Sequence, residues 1–337
     1  MDVRRRRADA QPGGAGTAAL NPRDLPEDDA ELAALIPRIG RLHLRQRLGM
    51  ERDHEARRLR RTLEVHGQDM SQVMQRAVRI GLFVTGLHAL GRRNAHRIAV
   101  RRHTIRLPHL PPAFDGFTLL QLSDLHIDAG PDFGRALIEA VRPLSYDVCV
   151  LTGDYRAHTY GPHDAALREL TALRQYLCDP VYAVLGNHDT IRLVPPMEAL
   201  GYRFLLNESV AIERGDASIY LAGIEDAHYY RLEDFRSATK NIPEGTVSIL
   251  LSHTPAAYRH AAHAGFDLML SGHTHGGQIC LPGGAPLMTA RAPRRLVRGA
   301  WRHHGMTGYT ATGSGTSIVD ARLNCPPEVT LHVLTRD

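Results

Sequence analysis

Five polar motifs, each placed just after a short apolar run, constrain this chain more than any other feature. They read Asp124-Leu125-His126, Gly153-Asp154, Gly186-Asn187-His188-Asp189, His253, and Gly272-His273-Thr274-His275. The apolar runs before them read as β-strands. Loops that bear ligands in open α/β sheets sit at such strand ends. Together the motifs offer oxygens from Asp124, Asp154 and Asn187 and rings from His126, His253, His273 and His275. That set is enough to hold two divalent cations and still leave His188 for acid–base work.

Singly, the motifs are weak. Asp-x-His is usually a chance surface match, and Gly-Asp is usually a turn. In extended chain, residues two apart point the same way, so Asp124 and His126 can face one cation. Gly153 allows a tight turn that projects the Asp154 carboxylate, whose two oxygens can bridge two cations. Asn187 offers a neutral oxygen, and His188 beside it points to the other side of the chain. The Gly272-His273-Thr274-His275-Gly276-Gly277 run is the strongest element: two histidines face a common centre, and glycines admit the backbone close to it. The chain holds 20 histidines, so one alone carries little weight. His158, His163, His228 and His263 are read as bland. His228, Tyr229 and Tyr230 are read as a surface loop rather than a pocket wall. Asp189 is a candidate to orient His188.

Charge divides the chain. Residues 1–107 hold 22 arginines against 12 acidic residues, while 108–337 hold 19 basic against 24 acidic residues. The basic character therefore belongs to the N-terminal part, and suits either an anionic surface or a solvated Arg-rich helix. The acidic balance of the rest disfavours long nucleic acid. The four cysteines, Cys149, Cys178, Cys280 and Cys325, show no CxxC pair, so none is assigned to a cation. Arg4–Arg7 are followed by no apolar stretch, which argues against an export signal. The longest charge-free apolar stretch of the N-terminal part, Ile80–Leu90, is too short to span a bilayer.

Residues 1–28 are expected to be a disordered basic tail. Residues 29–102 form an Arg-rich helical extension, with one or two surface helices over 29–66. Over 69–93, Val73, Ala77, Ile80, Val84 and Leu87 recur at helical spacing beside Arg76, Arg79, Arg92 and Arg93. That pattern fits one helix lying on an anionic membrane surface, or packed on protein. Residues 103–337 alternate strands with helices and then turn β-rich, implying α/β layers with sheets in the middle.

The order D-x-H, G-D, G-N-H-D, H, G-H-T-H resembles the calcineurin-like metallophosphoesterase superfamily over roughly 115–337. The extended Gly272–Gln278 run and the closing Arg322-Leu323-Asn324-Cys325-Pro326-Pro327-Glu328-Val329 are similar to a bacterial branch of membrane-associated phosphodiesterases, which includes enzymes cleaving UDP-2,3-diacylglucosamine. The resemblance implies a four-layer α/β/β/α sandwich, here with an N-terminal basic helical extension. It implies one cation on Asp124, His126 and His275, a second on Asn187, His253 and His273, and Asp154 as bridge. It further implies a metal-bridging hydroxide as nucleophile and His188 as general acid, with Asn187 and Asp154 at the reacting centre. A donor set of O and N without S suits Mn, Fe, Zn, Co or Ni. The expected substrates are phosphodiesters or pyrophosphates, on a small molecule or a nucleotide-lipid. The expected location is cytoplasmic, peripheral on the inner membrane. The alternative is an inert protein-binding scaffold on the same fold. Such scaffolds lose His188 or ligand positions, and this chain keeps them all.

Overall fold

The computed structural model describes residues 30–63, 70–290 and 292–336; the expected tail at 1–28 lies outside them. Twelve strands run through the described chain: β1 (Ala99–Arg106), β2 (Thr118–Leu122), β3 (Val148–Leu151), β4 (Val181–Ala183), β5 (Tyr202–Phe204), β6 (Glu208–Arg214), β7 (Ala217–Gly223), β8 (Ser248–Leu251), β9 (Leu268–Ser271), β10 (Gly299–His303), β11 (Met306–Thr310) and β12 (Glu328–Thr335). They form two six-stranded sheets, ordered β1-β12-β2-β3-β4-β5 and β10-β11-β9-β8-β7-β6. In the first, β2 to β5 are parallel; in the second, β7 to β9 are parallel. The motif-bearing strands β2, β3, β4, β8 and β9 thus end in loops at the carboxyl edges of two parallel runs.

Period-two alternation assigns the faces. Val148 and Val150 of β3 join Ile249, Leu251, Leu268 and Leu270 in a core between the sheets. Cys149 and Leu151 point the other way, into a core shared with the helices Phe133–Val141 and Asp164–Arg174 through Leu137 and Leu170. On the far side, Leu250 and Met269 pack against Tyr258 and Ala261 of the helix Tyr258–His263. Helices, sheet, sheet and helices make four layers, the α/β/β/α sandwich implied by the motif order.

The N-terminal helices are not a surface appendage. Ala30–Ala33, Arg41–Leu63 and the turn before Ile36–Ile39 contribute Leu32, Leu44 with Leu48, and Leu35 to the same core as Leu120, Leu122 and Val181. Arginines mask this in the sequence, because Arg-rich turns surround the few buried leucines. The expected single helix over 69–93 is instead two, Met70–Val84 and Leu87–Ala95, interrupted at Gly86, whose φ of 72° is left-handed. Two edge strands also differ from expectation. The sequence pattern predicts a strand over Thr104–Leu107, whereas β1 begins at Ala99, since its first half, with Arg101 and Arg102 exposed, carries no apolar run; β10 has no counterpart in the sequence pattern.

Leu44, only 1% exposed, reports the shared core. Leu44→Ala is expected to lower unfolding free energy by about 2–5 kcal/mol, read by urea denaturation of the whole chain. A loss under about 0.5 kcal/mol, the size of an ordinary surface substitution, would mean the helix is only loosely attached.

Candidate metal centre

The strand-end loops bring the predicted donors together in two groups. Asp124, His126, Asp154 and His275 form one, and Asp154, His253 and His273 the other; within each, the ligand atoms lie within 4.8 Å of one another. Asp154 belongs to both. The Asn187 Oδ1 joins the second group, 2.9 Å from His253 Nε2 and 2.8 Å from His273 Nδ1. The seven residues carried over from the motif order therefore converge. They do so by a different backbone route from the one expected. Asp124, His126, Asp154, His273 and His275 all have left-handed φ, between 38° and 70°. The paired side chains meet because the loop curls, not because extended chain repeats every second residue. Such conformations cost of order 1–3 kcal/mol each and persist where surrounding structure dictates them.

Two glycines make the crowding feasible. A Cβ on Gly153 would stand 2.6 Å from the Gly186 backbone nitrogen, between the loops after β3 and β4. A Cβ on Gly272 would collide with Ser123 Oγ and Asp124 Oδ2. The loops after β2 and β9 can touch only because position 272 has no side chain.

Three of the four donor rings are held from behind by a partner that leaves the other nitrogen facing the centre; the fourth, His273, has no partner at its buried Nε2. His253 Nδ1 donates to the Thr152 carbonyl at 2.8 Å, and His126 Nδ1 to the Arg156 carbonyl at 2.9 Å. His275 is backed by Arg322, whose guanidinium is fully buried, lies 3.4 Å from Nδ1 and otherwise donates to carbonyls of Thr312, Gly313 and Gly315. With Nδ1 donating, neutral His253 presents a bare lone pair at Nε2. That lone pair faces Asn187 Oδ1 at 2.9 Å and Asp154 Oδ2 at 3.4 Å. Acceptors gathered on acceptors require a cation or a proton between them, so the donor set fits a divalent metal.

The electrostatics agree. Burial opposes protonation of His253, yet the Asp154 and Asp124 carboxylates lift it to about 10. Burial also works against the Asp154 carboxylate, but the His253 and His188 rings hold it well below its usual range. Burial pushes Asp124 up to about 7 and His126 down to about 3. Without a cation, then, a proton sits on His253 as a substitute positive charge.

His188 stands beside the centre. Its side chain is 20% exposed, and its Nε2 lies 4.0 Å from Asp154 Oδ2. Its backbone N–H donates to Asp154 Oδ1 at 2.8 Å. The expected orienting role of Asp189 is not what the structure shows. The Asp189 carboxylate accepts from the N–H groups of Asp154, Tyr155 and Gly186, at 2.8 Å each, and ties the loops together. The His188 ring is oriented instead by the Ala157 carbonyl, 3.1 Å from Nδ1, with Thr159 Oγ1 at 3.3 Å.

Four residues beside the centre have no role in the sequence reading. His228, read as bland, lies with its ring 4.9 Å from that of His273. The hydroxyls of Tyr160 and Tyr229 meet, joining the loop beside His188 to the loop beside His273, and His54 packs edge-on against Tyr229. The run His228-Tyr229-Tyr230 was a faint signal, indistinguishable in sequence from an ordinary polar loop. Of the cysteines, Cys149 is buried in the core, and none joins either donor group.

Comparison with known proteins follows the same residues. The family model described as calcineurin-like phosphoesterase matches residues 117–277. The uncharacterized metallophosphoesterase YkuE of Bacillus subtilis is 30% identical over 255 residues, covering 71% of this chain and 86% of that protein. YkoQ of the same organism, also an uncharacterized metallophosphoesterase, is 29% identical over 251 residues, covering 71% of this chain and 92% of its own length. Phosphodiesterase YaeI of Escherichia coli is 28% identical over 227 residues, covering 64% of this chain and 81% of YaeI.

Metal binding at His253 needs the neutral ring, so uptake by metal-free protein should release a proton at pH 7. Calorimetric titration with Mn²⁺ in buffers of different ionisation enthalpy measures this; about one proton per cation bound at this group is expected, and affinity should rise with pH. Release near zero would remove the substitute-charge argument.

Proposed function

Because this chain belongs to the calcineurin-like phosphoesterase family and is a metal-dependent phosphoesterase, we propose that it cleaves phosphodiester or pyrophosphate bonds at two divalent cations, with His188 as general acid. The observation that carries this reading is the sharing of Asp154 between two donor groups with His188 4.0 Å away. The proposed holders are Asp124, His126 and His275 on one side and Asn187, His253 and His273 on the other, with Asp154 common to both. Two bound cations would supply a Lewis-acid clamp on the phosphoryl oxygens and lower the pKa of water. The family implies a small-molecule phosphoester substrate. The name of YaeI favours a diester over a monoester.

The residues of the chain supply the rest. The Asp154 carboxylate fixes the centre through its own hydrogen bond from the His188 backbone. The His188 Nδ1 proton is engaged by the Ala157 carbonyl, so the proton available to a leaving oxygen is the one on Nε2. The His188 side chain is partly exposed, so a substrate can reach it. A general acid contributes roughly 10²–10⁴-fold for a poor leaving group and little for a good one. His188→Ala is therefore expected to cripple cleavage of an alkyl phosphodiester while its effect on a nitrophenyl diester stays small, with metal content near wild type. His273→Ala should lose metal and both reactions. Equal losses on both substrates for His188→Ala, with loss of metal, would show His188 to be a ligand.

A lipid or lipid-linked substrate is the finer proposal, supported by the helices Met70–Val84 and Leu87–Ala95. Leu82, buried, and Val78, half-buried, pack against Ile279, Val319 and Ala321. Ile80, Phe83, Val84, Leu87 and Leu90 are all exposed, Val84 by 81%, and Arg76, Arg79 and Arg92 flank them. No helix among the described residues is long and apolar enough to cross a membrane. An exposed apolar ridge edged by arginine suits the interface of an anionic bilayer. Val84→Asp combined with Leu87→Asp should abolish co-sedimentation with vesicles containing anionic lipid at low salt, with hydrolysis of a soluble diester retained. Wild-type protein that ignores such vesicles would assign the ridge to a protein contact.

A further inference from the structure

The family match begins at residue 117, yet a completely buried arginine reaches the His188 loop from far outside it. Arg47 lies in the helix Arg41–Leu63. Its Nη1 donates to Glu225 Oε2 at 2.5 Å, its Nη2 to the Asp189 carbonyl at 2.8 Å and its Nε to Glu51 Oε1 at 2.9 Å. The guanidinium carbon lies 3.8 Å over the Tyr230 ring. One turn further on, Glu51 accepts from the Thr190 hydroxyl at 2.7 Å and from the Ile191 N–H at 2.8 Å. Asp189, Thr190 and Ile191, the three residues immediately after His188, are therefore all held by this one helix. Glu225, held in turn by Arg47, opens the segment that carries His228 to the His273 ring. The same helix sends His54 onto Tyr229 and Arg58 over the Tyr160 ring, the two tyrosines whose hydroxyls meet.

We propose that Arg47 and Glu51 are positioning residues for the phosphoesterase reaction, fixing where His188 stands relative to the Asp154 centre. The proposal rests on the reading of His188 as the acid. Hydrogen bonds between ionised and neutral groups in a dry interior are short and strong, and they tolerate little displacement. Inside the catalytic domain the loop is tied by the Asp189 carboxylate to the N–H groups of Asp154, Tyr155 and Gly186 and by Arg156 Nε to the His188 carbonyl at 2.6 Å; Arg47 and Glu51 hold it from the other side, at the backbone carbonyl of Asp189, the Thr190 hydroxyl and the Ile191 N–H. A misplacement of about 1 Å in a reacting group can cost on the order of 10²-fold in rate. Removing Glu51 should therefore copy the leaving-group signature of removing His188, although Glu51 touches neither substrate nor donor group.

Glu51 is the residue to change, since its side chain is partly exposed, whereas truncating Arg47 would strand Glu225 in the core and risk the fold. In metal-loaded, full-length protein, Glu51→Ala, Glu51→Gln and His188→Ala are compared on an alkyl phosphodiester and a nitrophenyl diester. Amide hydrogen exchange over residues 187–192 is followed for the two Glu51 variants. Glu51→Ala is expected to lower the alkyl-to-nitrophenyl rate ratio at least about tenfold and to speed exchange in that segment. Glu51→Gln keeps an acceptor oxygen for the Ile191 N–H and Arg47 Nε, and its amide N–H can donate to the Thr190 hydroxyl oxygen, so it should restore most of both. A merely structural residue would lower stability and both rates together, leaving the ratio where it was; that result, or unchanged exchange in Glu51→Ala, overturns the proposal. If His188→Ala itself leaves the ratio unchanged, the acid assignment is what fails. The positioning of the loop by Glu51 is then decided by the exchange measurement alone.

Discussion

The buried carboxylate of Asp154 is the constraint on which the rest of the structure depends. It is 1% exposed and sits between two groups of histidine and carboxylate donors. A buried charge without compensation is costly enough that the protein must either neutralise it or surround it with positive charge. Here His253, whose protonated form the carboxylates favour, supplies that charge in the absence of a cation, and the geometry is arranged for cations to take it over. Rings backed by Thr152, Arg156 and Arg322 cannot rotate away, so the converging nitrogens remain fixed on the centre. Preorganisation of this kind is what lets a metal centre act without reorganising during the reaction.

The two sheets are the means of holding that arrangement. Left-handed backbone at five donor residues is strained, and loops of that kind would relax if the strands beneath them moved. They are anchored by strands whose apolar faces are locked on both sides, between the sheets and under the helices. The N-terminal helices belong to this same construction. Leu44 and Leu48 enter the core beside β2, and Arg47, three residues after Leu44, reaches through to the loop after β4. Packing and positioning come from one helix face.

The site was more legible in the sequence than its support. The donors are short polar motifs after apolar runs, and both halves of that signal are local: a buried strand announces itself by hydrophobicity, and its catalytic end by residues that have no reason to follow one. Residues that act through tertiary contact leave no such local trace. Arg47 and Glu51 look like two more charges on an Arg-rich helix, and Arg322, although it opens the closing motif, shows nothing locally of its contact with His275. His228 cannot be told from other loop histidines in sequence, because only the fold brings the loops after β7 and β9 together. The Asp189 role was misjudged for a related reason: proximity to His188 in sequence suggested contact, while the loop turned the carboxylate toward three backbone N–H groups instead. The first half of β1 and all of β10 carry no sequence signal because edge strands pair on one side only and tolerate polar side chains.

The claim that two cations share Asp154 is tested most directly by anomalous diffraction from crystals of Mn²⁺-loaded protein, recorded near the manganese absorption edge. The expected map holds two peaks about 3.5–4 Å apart, one among Asp124, His126 and His275, the other among Asn187, His253 and His273, with an Asp154 oxygen between them. A single peak, or two peaks of which neither lies against Asp154, would contradict the shared-carboxylate centre.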